Sequence, residues 1–180
     1  MQNTLIVLVG PSGVGKTTIA KIAKKVGVAT HLVRSVTDRP QGPKEDDSEY
    51  LFVKKGEFDP NDCVEYAEYA GNKYGILKAE LDAAIATPRS MAVTEINGAR
   101  QLKLYCEGKA KVILVFINSV DAELRERLER RGRGGVEERL ARAAKDREPM
   151  TECDFIVQNK HGKLAYTIGE LRRIYKEATL

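Results

Sequence analysis

The chain has little cysteine, and Cys63, Cys106 and Cys153 are far apart and show no C-x-x-C spacing. This pattern indicates neither a disulfide framework nor a zinc site. Long apolar runs are also missing, since none approaches the roughly 20 residues that a membrane-spanning helix needs. The first apolar segment, residues 5–9, has no basic lead-in and is interpreted as part of the fold, not as a signal peptide. We therefore expect a cytoplasmic protein with reduced thiols and no membrane partner.

Aromatic residues make up only 6% of the chain, and tryptophan is absent. The formal net charge is only +4, yet arginines are concentrated in one short region. This arginine cluster consists of Arg125, Arg127, Arg130, Arg131, Arg133, Arg139, Arg142 and Arg147. Nucleic-acid sites usually place aromatic side chains among basic ones, so the composition favours a small polyphosphate and no nucleic-acid partner. Arg125, Arg127 and Arg147 are assigned to a solvated helix face.

The segment GPSGVGKT at residues 10–17 lies between an apolar run and a helical pattern. It satisfies G-x-x-x-x-G-K-[ST] in the order strand, glycine turn and helix, the context in which this pattern indicates a triphosphate site. Backbone N–H groups and the helix N-terminus then surround the phosphates, while Lys16 reaches the outer phosphates and Thr17 offers a hydroxyl to Mg²⁺. The predicted donor-binding residues are Gly10, Ser12, Gly13, Val14, Gly15, Lys16, Thr17 and Thr18.

A length of 180 residues suits one domain, in which strands and helices alternate. Strands are predicted at residues 5–9, 31–36, 50–53, 63–69, 74–76, 90–96, 111–117 and 154–157. Helices are predicted at residues 18–25, 77–85, 99–106, 120–130, 136–147 and 164–175. We expect a turn at Asn97-Gly98 and a strand buried on both faces at 111–117. The expected fold is α/β: a P-loop NTPase-type parallel sheet with flanking helices, a small β-rich insert and a helical lid.

Other segments narrow the class of P-loop protein. A GTPase is disfavoured, because the chain has no D-x-x-G, and Asn159-Lys160 continues as His161-Gly162 where N-K-x-D is needed. A motor ATPase or helicase is usually longer and ends a strand in adjacent acids. A small kinase needs a second site for the acceptor and arginines that close over the phosphates. The β-rich insert and the arginine cluster supply both.

The order and spacing of further fragments resemble the guanylate kinase family over nearly the whole chain. After the P-loop these are SVTDRP at 35–40, YLFV at 50–53, EYA at 65–67, GNKYG at 71–75, EINGA at 95–99 and LERRG at 128–132. The resemblance implies a core of residues 1–33, 89–129 and 148–180, an acceptor-binding insert at about 34–88 and a lid at about 130–147. It also implies the reaction of ATP with GMP to give ADP and GDP, with Mg²⁺.

The resemblance implies roles for single residues at the acceptor. Tyr50 and Tyr74 match tyrosines that bind the acceptor phosphate, and Ser35 falls in the same site. Glu65 matches an acid that reads guanine, a task that suits a carboxylate because N1–H and the N2 amine form a paired donor edge. Glu95 stands where the family commonly has an aspartate near the guanine and the metal region.

Three further matches concern the donor. Arg131 and Arg139 match lid arginines that bind the phosphates, and the resemblance implies that they act in catalysis with Lys16. Asn159 matches an asparagine near the base of ATP.

The acceptor loop departs from the family pattern. Where the family has T-R-x-P-R, this chain has TDRPQ, with Asp38 and Gln41 at the arginine positions. Ile76 stands where a hydroxyl residue normally helps to read guanine. We hypothesise that Arg34 and Arg39 replace the missing phosphate contacts.

The residues leave two other functions open. One is a kinase of the same architecture with another acceptor, either a different nucleoside monophosphate or a phosphorylated sugar. The other is a non-catalytic guanylate-kinase-like module that binds a phosphorylated partner, which the intact Lys16-Thr17 pair disfavours. The sequence is compatible with a monomer or a homodimer.

Overall fold

The computed structural model describes residues 2–43, 45, 47–69, 71–131 and 135–178. Its strands are β1 (Thr4–Val9), β2 (His31–Leu32), β3 (Ser35–Thr37), β4 (Tyr50–Phe52), β5 (Cys63–Tyr69), β6 (Asn72–Leu77), β7 (Arg89–Val93), β8 (Lys111–Asn118) and β9 (Phe155–Gln158). Its α-helices are α1 (Lys16–Lys25), α2 (Lys78–Ile85), α3 (Ile96–Tyr105), α4 (Asp121–Arg131), α5 (Val136–Asp146) and α6 (Leu164–Ala178). In the described ranges no helix is long and apolar enough to cross a membrane.

The core is a parallel five-stranded sheet in the order β2-β7-β1-β8-β9. Because side chains alternate along β1, Ile6 and Leu8 face a layer built from α1, α4 and α6, while Leu5 and Val7 face α2 and α3. Helices on both faces explain why β1 and β8 are continuous apolar runs. The predicted parallel α/β fold and the buried strand at 111–117 are therefore confirmed.

A second sheet, in the order β4-β3-β6-β5, lies outside the core sheet. The prediction of one strand at residues 31–36 was wrong, since β2 belongs to the core sheet and β3 to the second. The N–H of Val33 still donates to the carbonyl of Met91 on β7, whereas Ser35 pairs with Tyr50 on β4. The alternation of apolar and polar residues continues from β2 into β3, so the sequence gives no sign that the chain passes from one sheet to the other.

The turn predicted at Asn97-Gly98 was also wrong, because both residues lie inside α3. Gly98 is buried, and a Cβ at this position would overlap carboxylate oxygen Oε2 of Glu65 and the hydroxyl of Thr94. This glycine therefore serves close packing of α3 against β5, not chain reversal.

The region predicted as a lid contains α5, which packs on α4 and buries Ala143. Leu140 of α5 packs partly buried against the core. The predicted glycine-rich hinge falls mostly on residues 132–134, which lie outside the described residues.

Candidate functional site

The P-loop joins the carboxyl end of β1 to the first turn of α1. Gly10 has φ 131° and Gly15 has φ 103°, both in the left-handed region that favours glycine. A Cβ at Gly10 would overlap the carbonyl oxygen of Ile117 on β8, and one at Gly15 would lie 2.8 Å from Nδ2 of Asn159. The loop thus runs close against the backbone of β8 and against the side chain of Asn159.

Lys16 folds over the mouth of this loop. Its ammonium group donates to the carbonyl oxygens of Gly10 and Pro11, the latter at 3.0 Å. Within the loop Ser12 and Thr18 are exposed, while Val14 is buried. The Lys16 ammonium group therefore lies against the backbone at the start of the P-loop.

The outer wall of the P-loop is held by a partly buried arginine. The Arg127 guanidinium donates to the carbonyls of Val14 at 3.0 Å and Asn159 at 2.6 Å, and it pairs with Glu123. Only 13% of its side chain is exposed, so its assignment to a solvated helix face was wrong. The assignment of Arg147 to a solvated helix face was wrong for the same reason, because its guanidinium donates to the side chain of Asn118 and to the backbone carbonyl of Ser119. Arg125 is exposed and pairs with Glu137, as expected of a surface residue.

Asn159 supports the same loop from the end of β9. Its side-chain Nδ2 donates to the carbonyl of Val14 at 2.7 Å, and its Oδ1 accepts from Thr167. A cavity of about 280 Å³ lies beside it, between the P-loop and the start of α6, and is lined by Thr18, Arg130, Lys160 and His161 among others. The structure also places His161, to which no role was given from the sequence, on the wall of this cavity.

We expect Arg127→Ala to lower the free energy of unfolding by about 2 kcal/mol, because two hydrogen bonds from a charged donor to buried carbonyls are lost. Since those bonds support the P-loop, the KM for ATP should rise about tenfold, with little change in the KM for the acceptor. Urea denaturation and steady-state kinetics measure the two effects. Arg125→Ala is the matched control and should leave both unchanged. Equal behaviour of the two variants would contradict this role.

The second sheet carries an aromatic cluster. The ring of Tyr50 lies 5.8 Å from that of Phe52 and 6.4 Å from that of Tyr74. The Arg39 guanidinium lies over the rings of Tyr50 and Phe52, with Cζ 5.0 and 5.1 Å from their centroids. Burial raises the pKa of the Tyr50 hydroxyl, so it stays a protonated donor at neutral pH. Arg39, Tyr50 and Tyr74 are thus brought together, as predicted for acceptor-phosphate ligands.

Arg34, the other predicted phosphate ligand, is bound elsewhere. Its backbone N–H donates to Oε1 of Glu80 at 3.1 Å. Its guanidinium donates to the same carboxylate, with Nη2 3.2 Å from Oε2. Among the described residues, no hydrogen bond or ring contact joins Arg34 to Tyr50 or Tyr74. The structure therefore groups only one of the two arginines with the tyrosines.

Glu65 lies on β5 with its carboxylate against the N-terminal turn of α3. Burial raises the pKa of the Glu65 carboxyl, a hydrogen bond with Thr94 partly offsets this, and the neighbouring Glu95 carboxylate adds to it. Glu95 itself is 80% exposed and forms an ion pair with Arg142 of α5 at 3.2 Å. The predicted guanine-reading acid is therefore half-buried, and Glu95 points to the arginine cluster.

The two halves of the site meet at a small cavity of about 40 Å³ between α1 and the second sheet. It is lined by Thr17 on the core side and by Ser35, Glu49 and Tyr50 on the other. Glu49 also forms an ion pair with Lys21 of α1 at 2.5 Å. Thr17 of the P-loop and Tyr50 of the second sheet thus share one cavity.

Comparison with known proteins shows the family of this chain. The guanylate kinase family model matches residues 2–177. The chain belongs to the guanylate kinase family. It is 35% identical to a guanylate kinase of Synechocystis over 88% of this chain and 87% of that protein. It is 34% identical to a guanylate kinase of Nitrobacter winogradskyi over 99% of this chain and 84% of that protein. The fold resembles the crystal structure of guanylate kinase from Anaplasma phagocytophilum, with a TM-score of 0.70 at 22% identity over 98% of this chain and 86% of that chain.

The departures from the guanylate kinase pattern have structural explanations. Asp38 is buried, and its carboxylate accepts the N–H of Lys73 on β6 at 2.7 Å. Gln41 donates to the carbonyl of Glu45 within the same loop. Ile76 is buried in the core. Asp38 and Gln41 therefore stabilise the second sheet and its loop, and Ile76 contributes to the core.

The structure describes the side chain of only one of the two predicted lid arginines. Arg131 is the last residue of α4, and its side chain lies outside the described residues. Arg139 is half-buried on α5, and within the described part of the chain its guanidinium has no hydrogen-bond or ion-pair partner. Its five N–H donors are therefore available to an anion.

Gly98→Ala is expected to lower kcat/KM for the acceptor about a hundredfold, because the added Cβ displaces the Glu65 carboxylate. The KM for ATP should not change, since the three atoms nearest to the added Cβ belong to Glu65 and Thr94 and none belongs to the P-loop. Steady-state kinetics with each substrate varied in turn measure both. Gly169→Ala is the matched control, because a Cβ there would meet no atom within 4 Å. Normal acceptor kinetics in Gly98→Ala would show that Glu65 is not placed by this contact.

Proposed function

We propose that this chain transfers the γ-phosphoryl group of ATP to the phosphate of GMP, giving ADP and GDP. The observation that supports this best is the small cavity shared by Thr17 of the P-loop and Tyr50 of the second sheet. It joins a triphosphate-binding loop to a cluster of donors that suits a second phosphate.

The donor is proposed to bind along the P-loop. The backbone N–H groups from Gly13 to Thr18 surround the phosphates, Lys16 binds the outer ones, and the base lies in the cavity beside Asn159. In the described residues, no group of three or more His, Cys, Asp or Glu side chains could hold a metal ion by itself. Thr17 fits an Mg²⁺ that arrives with the nucleotide, since this ion prefers oxygen ligands and substrate phosphates. When bound, Mg²⁺ would neutralise charge on the phosphate chain.

The acceptor is proposed to bind across the second sheet. The hydroxyls of Tyr50 and Tyr74 and the Arg39 guanidinium bind the GMP phosphate, with Ser35 at the edge of the same cavity. The ionised Glu65 accepts hydrogen bonds from guanine N1–H and the N2 amine. We propose that Glu95 lies near this end of the site, and that Arg34 stabilises the junction of the two sheets and does not bind phosphate.

The chemical step needs no general base, because the acceptor phosphate is already an anion. Catalysis is then positioning of the two phosphates and stabilisation of charge on the transferred group. Lys16 supplies this charge from the P-loop, and Arg139 supplies it from α5. Arg131 is proposed to act with Arg139.

A coupled assay of ADP release with ATP, Mg²⁺ and a panel of acceptors tests the proposal. GMP should be turned over, and AMP, UMP, dTMP and ribose bisphosphate should not, because only the guanine edge offers two adjacent donors to the two oxygens of the Glu65 carboxylate. Turnover of another panel member in place of GMP would favour the alternative acceptor that the altered arginine positions suggest. No turnover with any acceptor would favour a binding module. The cytoplasmic location, the absence of a nucleic-acid partner and the monomeric or homodimeric state stay predictions from the sequence.

A further inference from the structure

The Arg39 guanidinium is held in a fixed orientation by its own loop. Its Nη1 donates to Oε2 of Glu45 at 2.6 Å and its Nη2 to Oε1 at 2.8 Å, so the pair is bidentate and end-on. Nη1 also donates to the carbonyl of Pro40 at 3.1 Å. The flat face of the group rests on the rings of Tyr50 and Phe52. The ion pair, the hydrogen bond to a carbonyl and the ring contacts thus fix the orientation of the Arg39 guanidinium.

This orientation leaves two N–H donors of the Arg39 guanidinium available. Arginine has five N–H donors in a rigid plane, and the contacts to Glu45 and Pro40 use three of them. The remaining two, on Nε and on the outer side of Nη2, have no partner in the described part of the chain. These two N–H groups are parallel and lie on one edge of the guanidinium, so they can bind two oxygens of one phosphate.

The Glu45 carboxylate is itself fixed. Oε2 also accepts the backbone N–H of Gly42 at 2.8 Å, and the backbone N–H of Glu45 donates to the Gly42 carbonyl. The side chain of Gln41 donates to the backbone carbonyl of Glu45 at 2.8 Å. Glu45 therefore belongs to a closed turn and is not a flexible surface acid that happens to meet Arg39.

We infer that Glu45 is a positioning residue for the acceptor phosphate, acting by holding Arg39 end-on so that its second edge faces the phosphate. This inference rests on the proposed function, since it concerns the binding of the GMP phosphate. It explains how Arg39 can serve in a loop where the side chains of Asp38 and Gln41 are bound to the backbone of Lys73 and Glu45. The alternative is that Glu45 occupies the place of the phosphate and competes with it, which predicts the opposite kinetic effect.

The test is a double-mutant cycle on Arg39 and Glu45. Glu45→Ala should raise the KM for GMP about tenfold, the loss expected when one charge-assisted contact is misplaced, while kcat and the KM for ATP stay unchanged. Arg39→Ala should raise the KM for GMP at least as much. The double variant should be no worse than Arg39→Ala alone, because Glu45 acts only through Arg39. Binding of guanosine, which has no phosphate, should be the same in all variants by calorimetry.

Glu57→Ala is the matched control, because Glu57 also accepts a backbone N–H in the same part of the chain, from Lys54 at 2.8 Å, and lies on an exposed turn. A lower KM for GMP in Glu45→Ala would overturn the inference in favour of competition. An unchanged KM, additive effects in the cycle, or weakened guanosine binding would also overturn it. Absence of GMP turnover in the wild-type chain would overturn the proposed function and the inference together, whereas normal turnover with any of these results overturns the inference alone.

Discussion

Lys16→Ala is expected to lower kcat at least about a thousandfold, because in the proposed mechanism its ammonium group supplies positive charge to the transferred phosphate from the P-loop. In the structure this group is held by the carbonyls of Gly10 and Pro11, so binding of a phosphate exchanges carbonyl acceptors for charged ones. The charge acts on the phosphoryl group as its bonds change, so kcat should fall more than the KM for ATP rises. Single-turnover and steady-state kinetics separate the two effects.

Lys24→Ala provides the control, since Lys24 is an exposed lysine in the last turn of the same helix. It should retain full activity. Both variants should show the circular dichroism of the wild type, because neither side chain contributes to the core. Lys16→Ala should unfold at a lower temperature than Lys24→Ala, because its two hydrogen bonds to the carbonyls of Gly10 and Pro11 are lost. Substantial turnover by a folded Lys16→Ala protein would remove the basis for the phosphotransfer mechanism.

Glu65→Gln is expected to lower kcat/KM for GMP about a thousandfold or more, because a carboxylate offers two acceptors to a paired donor edge and an amide offers one acceptor and one competing donor. The amide nitrogen would face the guanine N2 amine or N1–H without a hydrogen bond. The KM for ATP should stay normal. Glu68→Gln on the same strand is the control, since Glu68 is exposed and pairs with Tyr66. Unchanged GMP kinetics in Glu65→Gln would show that guanine is not read by this side chain.

The pH dependence follows from the direction of the Glu65 pKa. Burial raises this pKa above the ordinary carboxyl value, so the ionised form is lost at a higher pH than usual as the solution is acidified. The KM for GMP should therefore rise on acidification while the protein is still folded. For stability the sign is opposite: the folded state binds this proton more tightly than the unfolded state, so the contribution of Glu65 to the free energy of unfolding improves as the pH falls. Kinetics and urea denaturation between neutral and mildly acidic pH would show the two trends.

The donor side was the more predictable part of the site, because a strand, three glycines, Lys16 and Thr17 at fixed spacing determine the loop locally. The resemblance to guanylate kinases also indicated the family, which the comparisons confirm. The side-chain contacts that support the P-loop were not predictable from the sequence. Arg127 is remote from Val14 in the sequence and looks like any charge on a polar helix until α4 is placed beside the P-loop.

The acceptor side was harder to predict because its contacts join distant residues. No local pattern shows that Glu45 pairs with Arg39, that Asp38 accepts from Lys73, or that Arg34 binds Glu80. The glycine in α3 was misread for a similar reason. Asn97-Gly98 is a typical turn pair, but the deciding factor is the Glu65 carboxylate from another strand, which leaves no space for a Cβ.

The division of the segment at residues 31–37 between two sheets has a consequence for how such a protein can change over evolution. The chain leaves the core sheet after β2 and returns to it at β7, and these two strands are themselves paired, with His31 opposite Ser90. The second sheet is thus inserted between adjacent strands of the core. It could be exchanged for that of a relative, with α2 retained, without altering the register of the five parallel strands. Recognition of the acceptor can therefore diverge while the machinery that holds ATP is inherited intact.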